Sequence, residues 1–211
     1  MADENKFRTD KLTNLHLVNK YSCMDIMPEL DPCNHVPCGL TAFIDCAASK
    51  QYDDGVHFFI DDYRFERVWN RPESYIDMLR KYDCVLTPDF SLYVDMPLPM
   101  QIWNVYRSRA LGRYWQDNGI KVIPTLSWST PDSYWFAFDG LPKCSVYATT
   151  AIGTIKNKQA NELFRIGMDE AIKHLSPEKL ILFGDVPKDY TFDCEVIYLQ
   201  NKRLERVRNG R

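Results

Sequence analysis

The chain has 211 residues, of which 45% are hydrophobic and 13% aromatic, a length typical of one domain with enough apolar material to build a continuous core, so disorder is expected only at the ends. A formal net charge of -3 gives the whole protein no attraction for nucleic-acid backbones or anionic lipid. No apolar run reaches the length of a membrane span and the polar start MADENKFRTDK lacks the order of a secretory signal, which argues against membrane contact and for the cytoplasm.

Residues 1–39 read as an N-terminal arm with short elements, because Pro28, Pro32 and Pro37 interrupt any helix and the apolar residues keep no period. Leu40 to Cys46 is a short apolar run that fits a first strand. Val56 to Ile60 is a continuous β-favouring stretch closed by Asp61 and Asp62, the pattern of a strand covered on both faces. Pro72 and Glu73 open a helix with Tyr75, Ile76 and Leu79 on its apolar side, and Cys84 to Leu86 follows as a strand. A long helix is expected from about Met100 to Asn118, carrying Ile102, Tyr106, Ala110 and Tyr114 at four-residue spacing, with Asn118-Gly119 as its stop. Strands are then expected at Ile120 to Pro124 and Cys144 to Ala148, a helix from Lys158 to Leu175, and strands at Leu180 to Phe183 and Cys194 to Leu199.

Strands separated by helices imply crossover connections, because parallel neighbours cannot be joined by tight turns. The expected fold is therefore α/β: a mostly parallel sheet of five to seven strands with crossover helices, an open sheet or a partial barrel, in one domain over 40–200. Residues 201–211 form a basic tail with five Lys or Arg in eleven.

The strings HFFIDDYRFERVWNRPE (57 to 73), LTPDFSLY (86 to 93) and QIWNVYRSRALGRYWQDNGIKVIPTLSW (101 to 128) resemble the phage and plasmid family called domain of unknown function 4417. The likeness covers roughly 40 to 187. It implies a setting in mobile genetic elements, hence a bacterial host cell, and transfers no activity, cofactor or site residue.

Candidate residues come from the physics of open α/β sheets, which bind ligands outside the carboxyl ends of their strands. Those ends carry Asp61, Asp62, Arg64 and Arg67; Asp89 and Ser91; Ser127 and Trp128; Thr149, Thr150 and Gly153; and Asp185. With Arg109 from the long helix, these make a candidate site for a small phosphorylated, nucleotide-type ligand. Guanidinium groups grip phosphate bidentately and Trp69, Trp103, Trp115 and Trp128 are available to stack a base. Three alternatives stand beside it. Asp61, Asp62, Asp89 and Asp185 could gather to hold Mg²⁺ or Mn²⁺ for phosphodiester chemistry. The tail at 201–211 could contact nucleic acid, the protein then being a nucleic-acid or protein interaction module in element replication or counter-defence. Cys33, His35 and Cys38, with Cys23 or Cys46, could bind zinc, although their spacing matches no finger or ribbon and buried reduced cysteines are the simpler expectation. No Gly-x-Ser-x-Gly elbow, Walker loop or dinucleotide fingerprint is present, which argues against ATP hydrolysis and nicotinamide chemistry.

Overall fold

A computed structural model describes residues 13–22, 27–185, 187 and 189–200. Cys23 and the basic tail at 201–211 lie outside the described residues. The strands are β1 (Leu40–Ala42), β2 (Gly55–His57), β3 (Cys84–Leu86), β4 (Val122–Ile123), β5 (Val146–Thr150), β6 (Lys179–Phe183) and β7 (Val196–Leu199). Each pairs in parallel with the next in the chain, in ladders β1-β2-β3-β4 and β5-β6-β7. A parallel bridge between Thr125 and Ala148, reinforced by Leu126 N–H to Ala148 O at 2.8 Å, joins the two ladders. The fold is thus the expected open α/β sheet with the strands in chain order.

The sheet is strongly curled. The rings of His57 on β2 and Phe183 on β6 lie 4.3 Å apart, centroid to centroid, although three strands run between them. In a flat sheet, four strand spacings would separate them by about 19 Å. Curling turns one face into a trough, filled by Leu40, Cys84, Leu86, Ile123, Ala148 and Phe183. The alternate residues point outward. Val56, Val85 and Val122 pack with Ala110, Leu111 and Trp115 on one long helix, α3 (Leu98–Asp117). Tyr147, Leu180 and Leu182 pack with Phe164, Met168 and Ala171 on the other, α5 (Lys158–Leu175). Strands covered on both faces have no polar positions to alternate with, which is why they read as unbroken apolar runs. Among the described residues three short α-helices accompany them: α1 (Glu66–Asn70), α2 (Ile76–Leu79) and α4 (Tyr134–Ala137).

Several expected boundaries move for local reasons. β1 stops at Ala42 because Phe43–Asp45 tightens into a 3-10 turn. β2 stops at His57, whose Nδ1 accepts the Phe59 amide at 3.2 Å and takes it out of the ladder. β5 starts at Val146 because Cys144 adopts a left-handed φ of 53° and its amide bonds Leu175 O. The helix opened by Pro72 begins as a 3-10 turn, Pro72–Tyr75. On α3, of Ile102, Tyr106, Ala110 and Tyr114, spaced four apart, Ala110 is fully buried and the other three are partly so. Polar residues are buried too, including Gln101, Asn104, Arg109 and Arg113. Other segments cap these groups: the loop after β3 accepts from Gln101 and Asn104, Ala137 O accepts from Arg109, and the arm covers the end of α3 that carries Arg113. Arg113 bonds Asp31 and Asp117, Gln116 bonds the Asp31 main chain, and Leu30 packs where Gly112 leaves no side chain. The arm also reaches the sheet, with Cys33 O accepting Val146 N–H at 2.7 Å.

Phe183 closes the trough against His57 and Phe59. Phe183→Ala is expected to cost about 3–5 kcal/mol, the range for emptying a buried aromatic site, read as a lowered denaturant midpoint at unchanged slope.

Candidate functional site

At the carboxyl ends of β3, β4 and β5 the loops diverge around a cavity of about 320 Å³. The β3 loop contributes Asp89, Ser91 and Leu92, the β4 loop Ser127, Trp128 and Ser129, and β5 with its loop Thr149, Thr150, Gly153 and Thr154. The fourth wall is the first half of α5, through Ala160, Leu163 and Phe164.

Hydrogen bonds between neighbouring strand ends set this geometry. Thr125 N–H donates to Thr87 Oγ1 at 2.8 Å and Thr125 Oγ1 donates back to Thr87 O at 2.7 Å, clamping β3 to β4 and placing Asp89 beside Ser127. Asp62, just after β2, accepts both the amide and the hydroxyl of Ser91 at 3.0 and 2.8 Å and braces the β3 loop from outside. Trp128 lies flat over α5, its Nε1–H donating to Leu163 O at 3.1 Å. That approach requires Gly167, since a Cβ there would stand 2.0 Å from Nε1.

The polar lining presents mostly acceptors. The Thr149, Thr150 and Thr154 hydroxyls donate to the carbonyls of Leu126, Phe183 and Ala151 at 2.9–3.1 Å, so their hydrogens are turned into the protein and lone pairs remain. Ser129 Oγ is buried without a hydrogen-bond partner among the described residues. At the centre, burial raises the Asp89 carboxyl to about 7, with the Asp62 carboxylate pushing the same way and the Ser127 hydroxyl pulling it back. Asp89 thus keeps its proton to higher pH than an ordinary carboxyl.

Of the residues expected from the sequence, the structure brings Asp89, Ser91, Ser127, Trp128, Thr149, Thr150 and Gly153 to one cavity, with Asp62 behind it. It does not bring the arginines. Arg64 pairs with Asp61 at 3.1 Å on the surface. Arg67 lies over the rings of Phe43 and Tyr75. Arg109 is buried at 2% exposure behind the cavity floor, donating to Ala137 O at 2.7 Å, and burial lowers its pKa to about 10. Asp185 follows β6 outside the lining, and the four aspartates form no metal-binding group among the described residues. Of the other tryptophans, Trp115 stacks on Phe58 in the core and Trp69 meets Trp103 edge-on. Cys38 is exposed, away from His35 and Asp83, which contact each other, and Cys46 is buried, donating to Ala42 O. The sequence reading missed Ser129, Thr154, Phe164 and Gly167. Only Gly167 left a signal, as a glycine inside an otherwise regular helix stripe.

The model of the family described as Domain of unknown function (DUF4417) matches residues 19–201, extending the likeness into the arm. The chain is 43% identical over 178 residues to the "Gene 1 protein" of Mycobacterium phage L5, covering 82% of this chain and 77% of that protein. It is 40% identical over 175 residues to the "Gene 1 protein" of Mycobacterium phage D29, covering 81% of this chain and 64% of that longer relative. No solved structure matches.

Asp89 and His57 oppose each other in pH dependence. The Asp89 carboxyl goes from an ordinary 3.8 to about 7 on folding, so the stability it contributes is complete below about pH 4 and lost as pH rises toward 7. Buried His57 is lowered from 6.5 to about 3, so its contribution is complete above about pH 6.5 and lost as pH falls. Each slope is at most about 1.4 kcal/mol per pH unit, and the two cancel over much of the acid range. In Asp89→Asn, stability measured by urea unfolding is expected to fall more steeply than in the wild type between pH 6.5 and 4. The variant should also be the more stable of the two at pH 8. Parallel profiles would show that Asp89 has an ordinary pKa.

Proposed function

This chain belongs to the DUF4417 family, and we propose that it binds a small nucleoside-type ligand in the cavity at the carboxyl ends of β3, β4 and β5. The observation that carries this reading is a carboxyl with a pKa near 7 set between an aromatic wall and a ring of hydroxyl acceptors. A carboxylic acid offers one donor and one acceptor side by side, the pairing that the edge of a nucleobase presents. Trp128 and Phe164 supply apolar surface for a ring, and the Ser and Thr oxygens supply acceptors for ring N–H or sugar hydroxyls.

Size narrows the class. At about 320 Å³ the cavity lies at the small end of ligand pockets, roughly 300–1,000 Å³, and fits one base with its sugar rather than a dinucleotide or a polymer. A phosphate on such a ligand belongs at the mouth rather than inside, where acceptors and Asp89 would repel it. The stretch between Thr154 and Ala160, both in the lining, carries exposed Lys156 and Lys158 and leads into α5, whose amino end favours an anion. The expected place of action is the cytoplasm of a bacterial host, as befits a relative of two mycobacteriophage proteins.

Isothermal calorimetry against a panel of nucleosides and their monophosphates tests the reading. At least one compound is expected to bind with one-to-one stoichiometry and an affinity that changes around pH 7. Asp89→Asn should weaken it tenfold or more, about 1.4 kcal/mol. A panel without binders, or an unaffected Asp89→Asn, overturns it.

A further inference from the structure

The end of the sheet opposite the cavity carries a second constellation, built from residues far apart in the chain. His35 reaches it from the arm, while Asp83 and Cys84 stand at the start of β3. A ring nitrogen of His35, a carboxylate oxygen of Asp83 and the Cys84 sulfur all lie within 4.8 Å of one another. Tetrahedral zinc with ordinary bond lengths places its ligand atoms about 3.3–3.8 Å apart. The donors are therefore within about 1.5 Å of ligating distance.

The surroundings orient each donor. Lys121 Nζ holds Asp83 Oδ1 at 2.5 Å, which leaves Oδ2 facing His35 Nε2, as an outer partner does for a ligating carboxylate. Cys84 is in register with Gly55 on β2, where a Cβ would stand 2.8 Å from the sulfur, so the neighbouring strand keeps the space beside the thiol clear. A second thiol, Cys33, packs in the same buried cluster as Cys84. The His35 and Asp83 side chains remain 34% and 24% exposed, which gives a hydrated ion a way in. A plain His–Asp ion pair beside Lys121 accounts for the oxygen and nitrogen, while the Cys84 sulfur, buried in the trough, is the third donor within reach.

We propose that His35, Asp83 and Cys84 bind one divalent ion of the zinc type. The donor set, one nitrogen, one oxygen and one sulfur, suits zinc over the hard, all-oxygen preference of magnesium or calcium. The ion ties the arm to β3 and is structural, remote from the cavity at the other end of the same strand.

The test uses the full chain, purified reduced and without a metal-affinity tag. Elemental analysis is expected to find one zinc per chain. After removal of the metal, titration with cobalt(II) should give a thiolate-to-cobalt absorption in the near ultraviolet that saturates at one equivalent. Cys84→Ser should abolish that absorption and Cys46→Ser should leave it intact. His35→Ala and Asp83→Asn should each weaken zinc by at least about tenfold, the lower bound even for losing an outer partner. A chelator should lower the melting temperature of the wild type and of Cys46→Ser, and not that of Cys84→Ser. A folded wild-type chain that shows no thiolate absorption with cobalt overturns the proposal, whether or not Cys84→Ser folds. So does an absorption that survives Cys84→Ser.

Discussion

The constraint on which the rest of the molecule depends is that every strand of a parallel sheet buries two faces. Two long helices and the arm cannot cover both sides of a flat seven-stranded sheet in a chain of 211 residues. Curling resolves this, since a trough fills its inner face with its own side chains and leaves only the convex face for helices. The contact of His57 with Phe183 across three intervening strands is the measure of that curl. It also decides where the cavity lies, because curling brings the loops after β3, β4 and β5 round toward one another and lets α5 complete the wall.

The cavity and the His35–Asp83–Cys84 cluster occupy the two ends of β3, a strand of three residues. At one end polar groups converge on open space, with a carboxyl whose burial makes it exchange its proton near neutrality. At the other they converge on each other. Such a division, with an open cavity at the carboxyl ends and close contacts at the amino ends, follows from strand polarity: helices begin after the carboxyl ends, so free amides and divergent loops collect there.

Much of this was legible in the sequence, and the rest failed for definable reasons. Cys84–Leu86 and Lys158–Leu175 were read to the residue because apolar run and stop signals coincide there. Seven of the expected site residues meet at one cavity because the rule used, polar residues after apolar strands, is itself a statement about strand ends. The arginines misled because a guanidinium looks the same in sequence whether it faces a ligand, an aromatic ring or a carbonyl; Arg67 and Arg109 are the second and third cases. The buried face of α3 was unreadable for a related reason. Its polar residues are satisfied by neighbouring loops and by the arm, and pairings such as Arg113 with Asp31, 82 residues apart, leave no local period.

The way the arm is seated has a consequence for how the chain comes to be folded during synthesis. Strands that pair with their successors can assemble in the order they leave the ribosome, each adding to an existing edge. The arm emerges first yet has its partners at Gly140, Ser145 and Val146, so Leu30 and Cys33 cannot dock until more than a hundred further residues have been made. Long-range closure of this kind is slow relative to local pairing. Its apolar residues stay unsheltered for that interval, so the docking of the arm waits on the strand it lies against.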